Sequence, residues 1–409
     1  MLFSSLRQTL ATLMVAVLVS ACGGSGSSAP PPVGGITVVP GDGSATVTWE
    51  AVPGVKYWLF YAPSKTISTA DWTTIPGSRA ILDVTSPYVV TGLANGFNYS
   101  FTVNGRNGDG AGGPGSPTVT IIPRPAGASW KAGTALGSNT LRSLAYGTAA
   151  DTKGYYFAVG DGGSTYRSLD GLTWTNLPAA SGADMRAAVF ALSKFIVVGV
   201  NGSIGYSTDM STWATAASNT TETLNAVASN GAIAVAVGNN GTLRTTADGV
   251  TWINGTVPTT KNLYGVTYSA NGVWLAVGAG GTLLTSPDAT TWTLVNSGTT
   301  ADLNAVGVQA FTIYTFVAVG SGGTILTSTD KGVTWVPQAS GSSANLLAIS
   351  PASNQVLVTG EGGTVLTSSN GTTAWTTRNS GTAANLYAAI SGFSQYVAVG
   401  QNGTNINSQ

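Results

Sequence analysis

Two hydrophobic periods divide this chain. Between residues 33 and 123 apolar and polar positions alternate in short runs broken by turn residues, the pattern of half-buried antiparallel strands. Ala45-Thr46-Val47-Thr48-Trp49 is one such run, Val55 to Tyr61 a second, and Tyr88-Val89-Val90 a third. From residue 127 onward a longer frame recurs roughly every 40 residues, the length of a four-stranded repeat. One unit reads Asp302-Leu303-Asn304-Ala305-Val306, then Phe316-Val317-Ala318-Val319-Gly320-Ser321-Gly322-Gly323, then Thr324 to Asp330, and closes at Thr334-Trp335. Tryptophans mark the frame at 130, 174, 213, 252, 292, 335 and 375.

Each segment of the repeat has a physical reading. The Leu-x-Ala-Val stretch is an inner strand whose small residues suit a crowded axis. The Phe-Val-Ala-Val stretch is apolar on both faces, as a strand between two neighbouring sheets must be. The glycine-rich break supplies positive φ for a tight hairpin. The tryptophan strand lies outermost, where a large ring covers the widening gap between sheets.

Inner strands begin near Leu141, Met185, Leu224, Leu263, Leu303, Leu346 and Leu386. The last unit reaches Gln409 without a tryptophan strand, and Ser129-Trp130-Lys131 stands alone before the first. The expectation is an all-β chain: a small sandwich over 33–123, then a seven-bladed propeller over 127–409. Its N-terminal strand completes the last blade and removes the open edge.

At the N-terminus, Arg7 and the apolar run Leu10 to Val19 read as a signal peptide over 1–21, too short to span a bilayer as a mature helix. Val19-Ser20-Ala21-Cys22 resembles a bacterial lipobox, which implies lipidation of Cys22. Residues 22–32 read as a Gly/Ser/Pro tether. Gly23 after the cysteine implies, by the same resemblance, an exported protein held at the outer membrane through its lipid alone.

Composition narrows the chemistry. Sixteen basic and sixteen acidic residues give no net charge, too little basic surface for a nucleic-acid binder. There is no histidine, and Cys22 is the single cysteine. Histidine-based triads, Cys-His pairs, ordinary zinc sites and intramolecular disulfides are thereby excluded. No cofactor or metal is expected, and the protein is expected to be monomeric.

Two resemblances add to this. Leu93-Ala94-Asn95-Gly96-Phe97-Asn98-Tyr99, with Trp49 and Asn107-Gly108-Asp109-Gly110, resembles the fibronectin type III domain, whose corner tyrosine ties back to upstream backbone. Ser168-Leu169-Asp170-Gly171-Leu172-Thr173-Trp174 resembles the Asp-box of sialidase-like propellers, with counterparts at Asp209, Asp248, Asp288 and Asp330 and an asparagine at 370. These aspartates read as turn residues that accept backbone hydrogen bonds, not as metal or sugar sites. Taken whole, the repeats resemble the photosystem II assembly factor (Ycf48-like) propellers.

Asp-box propellers place the working face opposite those turns. That face is then built from the glycine hairpins and the connections 179–184, 218–223, 257–262, 297–302 and 380–385. The position after each inner-strand apolar residue forms a candidate ring: Arg142, Arg186, Asn225, Tyr264, Asn304, Leu347 and Tyr387. Two arginines and two tyrosines there suit an anionic or polar segment. Asp161, Asp184, Glu222, Asp302 and Glu361 are the acids expected on this face, with Asp161 and Asp184 as the pair for a two-carboxylate hydrolase. A sialidase would need three arginines together, and Arg167 and Arg244 are expected toward the Asp-box side. The leading expectation is a non-enzymatic envelope scaffold, with no catalytic residue, that binds a protein or saccharide. The alternative is a carbohydrate-active hydrolase.

Overall fold

The computed structural model describes residues 27–41, 43–123, 127–310, 313–352, 355–372, 374–392 and 395–408. It divides into two compact units, Met1–Pro125 and Ala126–Gln409. No helix among the described residues is long and apolar enough to cross a membrane. Residues 1–22, including Cys22, lie outside the described residues, as does part of the tether.

The first unit is a two-sheet sandwich. Thr37–Gly41, Ser44–Thr48 and Tyr88–Thr91 form one sheet; Val55–Ala62, Arg79–Val84, Tyr99–Asn107 and Val119–Ile121 belong to the other. Alternation along Ser44–Thr48 puts Ala45 and Val47 inside, where they meet Trp49, Tyr57, Leu59, Phe101 and Val103. The corner forms as expected: Tyr99 Oη accepts a hydrogen bond from the Ala94 N–H at 3.2 Å.

One boundary differs. Ser28–Ala29, expected in the tether, pairs antiparallel with Arg106 and Gly105 at the edge of the second sheet. Ala29 is buried there. Gly105 explains it, because a residue without a side chain lets Pro30 and Ala29 approach closely.

The second unit contains seven four-stranded antiparallel sheets. The first blade runs Leu141–Thr148, Gly154–Gly160, Thr165–Ser168 and Thr175–Leu177, from axis to rim. Blades 2 to 6 repeat this order with inner strands Met185–Ala191, Leu224–Ser229, Leu263–Ser269, Leu303–Ala310 and Leu346–Pro351. Blade 7 is Leu386–Gly392, Gln395–Gly400 and Asn405–Ser408, completed by Trp130–Ala132 from the start of the unit. Ile406 pairs with Ala132, Asn407 with Lys131, and Ser408 with Trp130. The ring closes as the unmatched ends of the repeat require.

Second strands are buried throughout, for example Ala234–Gly238 on both faces. Their side chains form an apolar cluster with each neighbour: Phe157 and Val159 meet Phe195 and Val197 between blades 1 and 2. Tyr156 and Ala158 meet Val397 and Val399 across the seam between blades 1 and 7. Burial at this scale, at ~25 cal/mol per Å² of apolar surface, dominates the stability of the ring.

At one end of the ring lie the aspartate turns. Asp170 Oδ1 accepts from Ser168 Oγ and from the Leu172 and Thr173 N–H groups, at 2.8 to 2.9 Å. Asp209, Asp248, Asp288 and Asp330 repeat this with their own turns. Asn370 accepts from Thr372 N–H in the sixth. These are structural turns. Indole N–H groups of Trp130, Trp174, Trp213, Trp292 and Trp335 each donate to the carbonyl three residues back, fastening the ring to its turn.

Candidate functional site

The opposite end of the ring carries the candidate face. In every blade the inner strand begins in register: Leu141 faces Gly160. The pairing then slips by one residue, so that Ser143 faces Val159. The same slip occurs after Met185, Leu224, Leu263, Leu303, Leu346 and Leu386. The residue left over is a β-bulge, which turns its side chain away from the regular pleat. Glycine opposite the bulge is required, since a Cβ on Gly160 would overlap the carbonyl of Thr140.

The seven bulge residues are Arg142, Arg186, Asn225, Tyr264, Asn304, Leu347 and Tyr387, and all seven line one axial cavity of ≈210 Å³. The ring expected from the sequence is therefore brought together complete. Below it the lining continues with small residues, Ser143, Ala226, Gly265, Ala305 and Ala348 among them, while Leu144, Val227, Val266 and Val306 are buried in the apolar clusters between blades. The lining takes the bulge residue and the two after it from each inner strand, a depth of ~10 Å at ~3.3 Å per residue.

Polar groups of the collar are unevenly committed. Arg142 donates from Nε to Asp161 Oδ1 at 2.8 Å and from Nη2 to Oδ2 at 2.9 Å. Its guanidinium also lies 4.9 Å from the centre of the Tyr387 ring. The hydrogen-bonded Asp161 raises the Arg142 pKa above its already high ordinary value. Asn225 Nδ2 donates to Asn239 Oδ1 and to the Leu263 carbonyl of the next blade, both at 2.9 Å. Asn304 Nδ2 does the same for the Leu346 carbonyl at 2.9 Å. Arg186 and Tyr264 have no side-chain hydrogen-bond or ion-pair partner among the described residues.

This corrects the expectation that both arginines are available to a ligand. The fork of Arg142 is already filled, and Arg186 alone is open.

Four of the five acids of the face have structural duties, and the fifth, Glu222, has no side-chain partner among the described residues. Asp184 Oδ1 accepts from the Gly162 N–H at 2.8 Å, fixing the glycine hairpin of the preceding blade. Asp302 caps the Gly280 N–H in the same way. Asn262, Asn345 and Asn385 cap the N–H groups of Asn240, Gly322 and Gly362. Asn240 takes the hairpin's left-handed conformation at φ 52°, as the glycines do elsewhere. Because asparagine replaces aspartate at three of these five caps, the cap needs an acceptor oxygen rather than a charge. Asp161 is held by Arg142, and Glu361 Oε2 accepts from Asn345 Nδ2 at 3.0 Å. The pair expected for hydrolysis, Asp161 and Asp184, thus consists of an ion-paired carboxylate and a hairpin cap.

Two arginines differ in placement. Arg167 lies over the Tyr155 ring at 4.8 Å, toward the aspartate turns as expected. Arg244 does not. It is buried, and donates from Nη2 to the Asn219 carbonyl at 3.0 Å and from Nε to that of Ser218, so it pins a connection of the candidate face. Its strand follows directly on a glycine hairpin, which sets it near this end. Desolvation lowers its pKa.

The connections themselves are preformed. Ser218, Ser297, Ser340 and Ser380 each donate to a carbonyl two residues ahead. The repeat reveals the ring in the sequence but not the bulge that builds it. A signal was present: each ring residue stands between a buried leucine or methionine and a small residue.

Comparison with known proteins bears on both units. The fibronectin type III domain family model matches residues 29–121. Among curated proteins none matches the sequence. A solved Ycf48 with a bound D1 peptide is similar at 19% identity and TM-score 0.56, over 68% of this chain and 96% of that one. Ycf48 from Cyanidioschyzon merolae is similar at 19% identity and TM-score 0.56, over 69% and 99%. The WD40 propeller domain of Doa1 is similar at 11% identity and TM-score 0.55, over 69% and 97%. The chain therefore carries a fibronectin type III domain followed by a propeller with the fold of Ycf48.

Proposed function

We infer that this protein is a non-enzymatic binding scaffold of the cell envelope. Lipid on Cys22 anchors it, the sandwich spaces it, and the bulge-lined face of the propeller docks a partner. The observation that carries this reading is the use of the face's own polar groups. Asp184 and Asp302 cap hairpins, Asp161 pairs with Arg142, and Ser218, Ser297, Ser340 and Ser380 bond their own turns. What results is a preorganised surface, which lowers the entropic cost of binding. A polypeptide is the favoured class of partner, supported by the peptide bound to one solved propeller of this fold.

Crosslinking in envelope extract, with mass spectrometric identification of what the purified protein retains, tests this. The expected result is a reproducible protein crosslinked near Arg186 or Tyr264. Retention of polysaccharide alone, with turnover lost in Asp161→Asn, overturns it in favour of a hydrolase.

A further inference from the structure

Blade 7 is the one blade whose four strands are not continuous in sequence. Its first three strands meet Trp130–Ala132 through three residue pairs and meet blade 1 through a packed seam. No covalent link reinforces either contact directly.

That seam also differs in composition. In blades 2 to 6 the third strand begins with Ile204, Leu243, Leu283, Ile325 or Val365, each buried in the apolar cluster shared with the next blade. Thr165 in blade 1 is buried too, with its hydroxyl on the Pro178 carbonyl. Blade 7 has Asn405 at this position, paired with Val399 as Ile325 is with Val319.

Ile406 packs toward blade 6, so alternation turns its neighbours Asn405 and Asn407 toward blade 1. Both are buried, at 2% and 1% exposed. Asn405 Nδ2 donates to the Thr134 carbonyl, but its Oδ1 has no partner among the described residues. Neither polar atom of Asn407 has one. A buried amide without a partner has given up its hydrogen bonds to water and regains them when the site opens. Such groups lower the free energy of local opening at the place where they sit.

We propose that the seam between blades 7 and 1 is a built-in opening point of the ring. The first three strands of blade 7 part there from Trp130–Ala132 and from blade 1, while the other seams stay closed. Opening has a consequence at the collar. Arg142 belongs to blade 1 and Tyr387 to blade 7, and the guanidinium lies 4.9 Å from the ring centre across this seam. Parting the blades draws Tyr387 away and widens the collar at that one place. Asp161 stays on Arg142, because both belong to blade 1. The proposal holds whatever the collar binds.

Cysteine substitution at three equivalent second-strand positions tests it. Val397, Val235 and Val317 are fully buried at the seams between blades 7 and 1, 3 and 4, and 5 and 6. Iodoacetamide labelling of the full chain under native conditions is read peptide by peptide by mass spectrometry, which keeps Cys22 separate. Val397→Cys should label about tenfold or more faster than Val235→Cys or Val317→Cys. Adding Asn407→Thr, the residue that blades 3 to 6 carry as Thr245, Thr285, Thr327 and Thr367, should slow it to the rate of the other two. Equal labelling at the three seams, or a Val397→Cys rate unmoved by Asn407→Thr, would overturn the proposal. Hydrogen exchange of the unsubstituted chain covers the case of a destabilising cysteine. Asn405–Ser408 should exchange faster than Ile325–Ser328, and equal protection of the two strands would also overturn it.

Discussion

Asp161 grips Arg142 with both carboxylate oxygens, at 2.8 and 2.9 Å, from the glycine hairpin of the same blade. Both side chains are about three-quarters buried, at 25% and 26% exposed. The pair therefore belongs to the architecture of the collar. Asp161→Asn should lower stability by about 1–2 kcal/mol by leaving a largely buried guanidinium unpaired. Denaturant titration checks this. The double variant Asp161→Asn with Arg142→Gln should lose less than the two single losses combined, as expected for coupled partners.

Acid should unfold the propeller through its aspartate turns. Backbone N–H groups hold Asp209, Asp248 and Asp288 below the usual carboxylate range, and hydrogen bonds from Thr334 hold Asp330 at about 2. A folded pKa below the unfolded value of about 3.9 means stability present above pH ~4 and lost as pH falls through the folded value. The denaturation midpoint should be flat near neutrality with respect to these groups and fall steeply between about pH 4 and 2. Asp330→Asn, mimicking the natural Asn370, should make that fall shallower.

Neighbouring glycines of one hairpin should respond oppositely. Gly322, at φ 62°, has open space where a Cβ would go, and blades 2, 3 and 7 carry Asn201, Asn240 and Asn402 at this position. A Cβ on Gly323, at φ 72°, would overlap the Ser342 carbonyl. Gly322→Asn should change stability by about 0.5 kcal/mol or less, whereas Gly323→Ala should cost about 2 kcal/mol or more. Thermal melting of the two variants distinguishes them.

Closure depends on three residues. Deleting Trp130–Ala132 leaves Asn405–Ser408 as an open edge at the outside of blade 7. Such an edge templates pairing with other chains. The deleted protein should melt earlier and run as oligomers in size-exclusion chromatography, while the intact protein runs as a monomer.

Most of this architecture was legible because it repeats. The tryptophan frame, the aspartate turns and the unmatched ends each follow from a local rule stated in blade after blade, and repetition separates signal from chance. The ring of Arg142, Arg186, Asn225, Tyr264, Asn304, Leu347 and Tyr387 was legible for the same reason. What the repeat hides is what occurs once. Asp161 meets Arg142 across a single hairpin, and Arg244 reaches back to Ser218 and Asn219 at the end of the preceding blade. Those contacts depend on side-chain reach between strands, which periodicity does not encode. Ser28–Ala29 was hidden by composition, since a Gly/Ser/Pro run reads as tether until Gly105 offers it an edge.

A docking face at the collar is tested by comparing partner capture for variants at the two ends of the propeller. Arg186→Ala and Tyr264→Ala remove collar groups that make no intramolecular bond among the described residues, and Arg167→Ala removes an arginine toward the opposite end. Quantified by mass spectrometry from the same extract, capture should fall about fivefold or more for the collar variants, as for interface anchors, and stay unchanged for Arg167→Ala. Loss with Arg167→Ala and full capture by the collar variants would put the partner on the aspartate-turn face and refute docking at the collar.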